Sequence, residues 1–493
     1  MGEDIAGTAF TREQRQRYRE KVRQDLDIFE QMLAQSDFDG DHLLTGLEIE
    51  LNLVDGDYQP SMKNAEVLRR IADPAFQTEL GQYNIELNVN PRPLPGDAAI
   101  QLEADLRQSL NRAESLASET GAHIVTIGIL PTIMPEHLQK DWMSANARYS
   151  ALNEAMINAR GEDIPIDIEG GRGERLALYT DSIAPESACT SVQLHLQVTP
   201  QEFAAHWNAA EAVSALQVAV GANSPYLFGK QLWHETRIEL FTQAIDTRPH
   251  ELKNQGVRPR VFFGDSWITS IFDLFEENVR YFPPLLPQIG DEDPAAMLNA
   301  GQAPTLFELR LHNGTVYRWN RPVYDVVDGA PHLRIENRVL PAGPTIVDTL
   351  ANSAFYYGVL RMLAQEDRPI WTKMSFAAAE HNFRTCSRHG LESTVYWPGF
   401  GEVPADELVL RHLLPMAHEG LEQWGVSAAV RDRYLSVIER RCISGVNGAT
   451  WQIAAVERLE DRGADRLSAL RGMLAQYVTA MHSNEPVHTW SLP

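Results

Sequence analysis

Hydrophobic and polar positions alternate with period two in several separate stretches of this chain. In residues 47–53, Leu47, Ile49, Leu51 and Leu53 fall on one face of an extended strand, and Glu48, Glu50 and Asn52 on the other. Residues 83–90 repeat the design, with Ile85, Leu87 and Val89 opposite Glu86, Asn88 and Asn90, and the prolines at 91, 93 and 95 end the run. Residues 191–198 set Val192, Leu194, Leu196 and Val198 against Ser191, Gln193, His195 and Gln197. Phe307, Leu309 and Leu311 alternate with Glu308, Arg310 and His312, and Leu333, Ile335 and Val339 with Arg334, Glu336 and Arg338. Residues 123–130 are almost wholly apolar, which predicts a strand buried on both faces.

Elsewhere the period is 3.6. Tyr18, Val22, Leu26, Phe29 and Leu33 form one stripe over residues 11–35, and helices are predicted over 64–72, 97–119, 146–160 and 201–220. Beyond a soft boundary at Pro341-Ala342-Gly343-Pro344 the stripes at 346–364, 406–417, 426–441 and 449–481 make the chain mainly helical. Two portions are expected, 1–344 and 345–493, the second able to belong to the same domain. Strands with one apolar and one polar face imply an α+β fold, an antiparallel sheet with helices on its apolar side.

Composition narrows the classes. With 44% hydrophobic and 22% charged residues, the 493-residue chain reads as globular. It has neither an 18-residue apolar run nor a basic-then-apolar leader, and Ala6 stands where a myristoylation motif needs Ser or Thr. A formal charge of -24 argues against nucleic acid or an anionic membrane as partner. Cys189, Cys386 and Cys442 are too few and too scattered for a disulfide framework or a metal motif, and fit free thiols in a cytoplasmic protein. Asp37, Asp39, Asp41, Leu43, Thr45 and Glu48 match the spacing of a calcium loop, but His42 replaces its glycine and a strand follows where a helix is required; a polar turn is expected instead. The Gly-rich segment 169–174 has no nucleotide-loop spacing and reads as a surface loop.

A lone Glu-x-Glu on a strand is usually a wet face. Recurrence changes that reading, because the polar faces collect Glu48, Glu50, Glu86, His195 and Glu336 together with Arg310, Arg334 and Arg338. Several carboxylates with one imidazole suit Mg²⁺ or Mn²⁺ better than Zn²⁺. Arginines pair bidentately with phosphate or carboxylate, so the set matches what phosphoryl transfer needs. No GxSxG or Cys-His signature supports a hydrolase with a covalent intermediate.

Five segments together resemble the glutamate–cysteine ligases, in the carboxylate–amine ligase branch. They are Gly46-Leu47-Glu48-Ile49-Glu50, the strand of Glu86 ending in Asn90-Pro91-Arg92-Pro93, Cys189 to His195, Ala222-Asn223-Ser224-Pro225 with Arg237 downstream, and Arg334-Ile335-Glu336-Asn337-Arg338. The resemblance implies a glutamine-synthetase-like antiparallel funnel packed by helices. It implies MgATP-dependent phosphorylation of the γ-carboxylate of glutamate, then attack by an amine such as cysteine. By position, Glu48, Glu50, Glu86, His195 and Glu336 correspond to metal ligands, with Glu79 a further candidate. Arg338 corresponds to the phosphate contact, Arg237 to a phosphate or carboxylate contact, and Arg334 and Gln193 to nucleotide or substrate contacts. Ligation of a different carboxylate or amine, a non-catalytic nucleotide- or metabolite-binding relative, and a metallohydrolase are the alternatives. The C-terminal portion carries no motif, and a packing or dimerisation role fits it.

Overall fold

The computed structural model describes residues 10–35, 38–40 and 43–493. Its centre is one curled antiparallel sheet of seven strands: β1 (Leu44–Val54), β2 (Phe76–Thr78), β3 (Asn84–Pro93), β4 (His123–Val125), β5 (Ser191–Val198), β6 (Asn320–Val327) and β7 (Ala330–Pro341). The order is β6-β7-β5-β1-β3-β2, with β4 pairing the far end of β1. The principal helices are α1 (Arg12–Gln35), α2 (Ala98–Ser118), α3 (Ala147–Arg160), α4 (Pro200–Gly221), α5 (Phe307–Asn313), α6 (Ile346–Ala364), α7 (Leu414–Gln423), α8 (Ala428–Ser444), α9 (Gly448–Asp461) and α10 (Arg466–Ser483).

Leu47, Ile49, Leu51 and Leu53 are buried, as are Ile85, Leu87, Leu194, Leu196, Leu333 and Ile335. This greasy face packs on α4 and on the C-terminal helices, where Leu350, Ala354 and Tyr357 of α6 join the same core as the strand residues. Helices α4 and α6 are buried nearly all round because each lies between other elements, so neither shows the one-sided stripe of a surface helix. Gly358 of α6 and Gly420 of α7 let those two helices cross closely; a Cβ at either would meet the other helix's backbone.

Register sets the opposite face. Glu50 lies across from Glu86, Glu48 from both Asn88 and Gln193, and His195 from both Gly46 and Glu336. Gly46 keeps this approach close: a Cβ would sit 3.3 Å from that of His195 and push it by a few tenths of an ångström. Arg321 on the edge strand β6 lies opposite Glu336.

Three expectations are corrected. Residues 307–312 form helix α5, whose Leu309 N–H donates to Asp25 of α1 at 3.0 Å; six alternating residues suit a short amphipathic helix as well as a strand. Only 123–125 of the apolar run pair as a strand. The carbonyls of Ile127 and Gly128 accept instead from Asn52 and Thr190, so the chain stays buried without a ladder. The stripe at 449–481 is two helices, divided near Gly463 at φ 96°. The C-terminal portion is mainly helical as expected, with one short hairpin, Thr394–Trp397 with Gly401–Pro404. Of the calcium-loop positions, Asp37 and Asp41 lie outside the described residues, and Glu48 is on β1.

Candidate active site

The polar face of the sheet is concave and holds two joined groups of side chains. In the first, ligand oxygens of Glu50, Glu79 and Glu86 all lie within 4.8 Å of one another. Glu50 comes from β1 and Glu86 from its partner β3, both buried, while half-buried Glu79 follows the short strand β2. Glu50 is fully engaged: Ser191 N donates to Oε2 at 2.6 Å and Gln193 Nε2 to Oε1 at 2.9 Å. Asn88 donates to Glu86 at 2.8 Å.

Three carboxylates in so small a volume disfavour one another's charge. Burial, and then the charge of Glu48, pushes Glu86 up to about 7. Burial and then Glu86 and Glu50 hold Glu79 well above the usual carboxylate range. Burial also raises Glu50, against the pull of Arg338. A hard divalent cation would reverse all three shifts, so the donor set fits Mg²⁺ or Mn²⁺.

The second group is basic and acidic by turns. Arg338 donates to Gln193 Oε1 at 2.5 Å and to Glu336, and Arg321 grips Glu336 from the other side at 2.7–3.1 Å. Burial opposes ionisation of Glu336, yet Arg321 and Arg338 hold it well below its ordinary value. His195 Nε2 lies 3.1 Å from Glu48 Oε1 while Arg334 Nε donates to Nδ1 at 3.3 Å. Burial is outweighed at Glu48, where His195 draws the carboxyl down to about 2. His195, Glu48 and Glu336 are therefore brought together beside the three-carboxylate group and not within it.

Arg237 is buried behind this face. Its Nε donates to Glu235 at 3.1 Å, Nη1 to the Arg338 carbonyl at 3.3 Å and Nη2 to the Val339 carbonyl, so it braces the irregular stretch of β7 that carries Arg338. Cys189 donates from Sγ to the Arg237 carbonyl at 3.6 Å, and burial raises its thiol well above the ordinary value, an inert packing thiol.

Sequence reasoning missed three contributors. Arg321 and Asp325 lie on β6, an edge strand containing Pro322, whose missing N–H is tolerated only because that side is unpaired. Glu186 sits in the short helical turn Ala184–Ala188 before β5; burial, then the charge of Glu50, raises it to about 8. Charge-pattern logic could have flagged Arg321 from the Arg-x-x-x-Asp spacing; nothing in the sequence around Glu186 marks it.

A cavity of about 580 Å³ opens over this face, within the range of small-molecule sites. Glu48, His195 and Arg334 line it together with Leu44, Val89 and Val327.

A curled antiparallel sheet with helices on one face and this acid–guanidinium floor on the other defines a ligase of the glutamine-synthetase-like fold. Residues 44–469 match the model of glutamate–cysteine ligase family 2, and the chain belongs to that family. It is an ATP-dependent ligase. Among solved structures, the glutamate–cysteine ligase of Francisella tularensis in complex with AMP is similar at 12% identity and a TM-score of 0.51, covering 93% of this chain and 97% of its own. A bifunctional glutathione synthetase from Pasteurella multocida is similar at 13% identity and a TM-score of 0.50, covering 94% of this chain and 55% of its own. These likenesses bear on the fold. No curated protein sequence matches the chain. Among the described residues no helix is long and apolar enough to cross a membrane.

Proposed function

We propose that this ligase joins the γ-carboxylate of glutamate to an amine, with γ-glutamylcysteine as the product. The observation that carries the reading is the Glu50–Glu79–Glu86 group lying beside a guanidinium, Arg338, that is fixed between Gln193 and Glu336.

A carboxylate oxygen of the acid substrate attacks the γ-phosphorus of ATP, giving an acyl phosphate and ADP. The amine then attacks the acyl carbon, the amide forms, phosphate leaves and the amine's proton passes to solvent or a nearby carboxylate. Arg338 would neutralise the transferring phosphoryl group, a role supported by its anchoring to Gln193 and Glu336 beside the carboxylates. Arg237 acts through the β7 backbone that positions Arg338, and Arg334 holds the His195 ring. Glu50, Glu79 and Glu86 would hold the divalent cation, with Glu48, His195 and Glu336 as the neighbouring set. Bound there, the cation would supply charge neutralisation between the carboxylate and the phosphates. The cavity of about 580 Å³ lined by Glu48, His195 and Arg334 is within the size range of small-molecule sites. In this scheme residues 1–344 carry the chemistry and 345–493 form the apolar backing of the sheet.

The test is phosphate release from MgATP with glutamate alone and then with a panel of amines, the product identified by mass. Amine-dependent release with cysteine supports the reading. Release only with another amine moves the product to a different amide, and binding of ATP without release removes the catalytic assignment. Glu50→Gln should abolish metal-dependent release in a folded protein.

A further inference from the structure

One residue breaks the two-sided pattern of β7. Asn337 lies opposite Leu194 of β5, fully buried on the apolar face that also carries Leu333 and Ile335. An amide in an apolar layer costs free energy unless its donors and acceptor are met. Gln217 of α4 meets it as a reciprocal pair: Gln217 Nε2 donates to Asn337 Oδ1 at 3.0 Å, and Asn337 Nδ2 donates to Gln217 Oε1 at 3.1 Å. Asn337 Nδ2 also donates to Asn320 Oδ1 of β6 at 2.7 Å, and Asn320 Nδ2 donates to Ser214 Oγ of α4 at 3.0 Å. All four side chains are buried. Ser214 and Gln217 stand three residues apart on one face of α4, so the helix grips the backs of both outer strands, β6 and β7, at two points.

Asn337 stands between Glu336 and Arg338, the two residues of β7 that meet on the floor. Up to Asn337 the pairing with β5 is regular, Glu336 against His195 and Asn337 against Leu194. It resumes with Leu340 against Val192, so Arg338 and Val339 together oppose Gln193. Two residues against one make a β-bulge, which breaks the ladder locally and re-aims a side chain. The direction of Arg338 therefore depends on what holds the two ends of the bulge. Arg237 holds the far end, through the carbonyls of Arg338 and Val339. Asn337 is the near end. Across the pairing with β6 it faces Asn320, which puts the next residue, Arg321, opposite Glu336. Apolar side chains at 217 and 337 would fill the same space without marking a register, whereas a reciprocal amide pair is satisfied in one register only.

We infer that Asn337 is a positioning residue for the ligase reaction. Held by Gln217 and Asn320 from the apolar side of the sheet, it fixes the bulge from which Arg338 reaches Gln193 and Glu336, and the register that sets Arg321 on Glu336. It lies on the opposite side of the sheet from the floor and acts through Arg338 and Glu336. The inference rests on the ligase reading only for the reaction in which those two residues take part.

Asn337→Leu alone would strand the amide of Gln217, so the deciding variant changes both members of the pair. Gln217→Met/Asn337→Leu replaces two bonded amides by apolar groups of similar volume, a change close to neutral for stability. Urea unfolding measures that stability, and activities are taken per folded molecule. The inference predicts a folded double variant whose kcat for amine-dependent phosphate release from MgATP falls tenfold or more, with KM for MgATP little changed. Its crystal structure should show Arg338 moved off Gln193 and Glu336 with α4 in place. Gln217→Asn/Asn337→Gln, which keeps an amide pair of the same summed length, should restore most of kcat. Should the apolar variant not fold, Gln217→Met alone, in which Asn337 keeps its bond to Asn320, is read by the same two measurements. A folded apolar variant with wild-type kcat, or with Arg338 still on Gln193 and Glu336, overturns the inference. A folded swapped pair as slow as the apolar one does the same. Wild type releasing no phosphate with any amine would remove the ligase reading instead, and the position of Arg338 in the variant's crystal would still decide the inference.

Discussion

Replacing Glu86 by Gln removes one of the three crowded charges while keeping the side chain's shape and its bond from Asn88. Its carboxyl is raised from 4.5 to about 7 in the folded protein, so the charged form costs stability. A rise from 4.5 to about 7 corresponds to about 3 kcal/mol. The sign follows from linkage. A carboxyl whose folded value is raised binds its proton more tightly in the native state, so native stability is lost as pH rises from about 4.5 through 7. In EDTA, urea denaturation should therefore show Glu86→Gln more stable than wild type at pH 8, by up to about 3 kcal/mol, with the gain vanishing near pH 4.5. Adding Mg²⁺ should stabilise wild type and leave the variant nearly unmoved, so that the order of the two reverses. A variant less stable than wild type in EDTA at pH 8, or equal stabilisation of both by Mg²⁺, would refute the cation-site reasoning.

Other outcomes follow from the packing. Asp25 is buried where α1 caps α5, and burial followed by the charge of Glu308 raises it to about 7; Asp25→Asn should raise the melting temperature above pH 7 and not near pH 4, read by calorimetry across pH. Arg441 of α8 meets Asp348 of α6 at 2.7 Å with both side chains almost fully buried, so Arg441→Met should cost about 3–5 kcal/mol in urea unfolding by leaving Asp348 unpaired. Gly46→Ala should lower phosphate release with little loss of melting temperature, because the added methyl displaces the His195 ring.

Most of the sheet was legible because β1, β3, β5 and β7 each carry apolar side chains on one face and polar ones on the other, buried though many of the polar ones are, which leaves period two in the sequence. The same signal misled at 307–312, where a cap from Asp25, almost 300 residues away in sequence, selects a helix. Strand β6 was invisible since Asn320 and Pro322 look like loop residues until its edge position is known, and with it went Arg321, the second clamp on Glu336. The carboxylates on strands could be named individually. Their division into a Glu50–Glu79–Glu86 group and a Glu48–His195 pair depends on register and side-chain reach, and no local pattern encodes those.

The central claim is that a carboxylate is activated by phosphoryl transfer on this floor. Glutamate labelled with ¹⁸O in its γ-carboxylate, incubated with MgATP and the accepting amine, tests it most directly, with mass spectrometry of the released phosphate. The account predicts that one ¹⁸O atom from the carboxylate appears in the phosphate for each amide formed. Amide formation with unlabelled phosphate would contradict it.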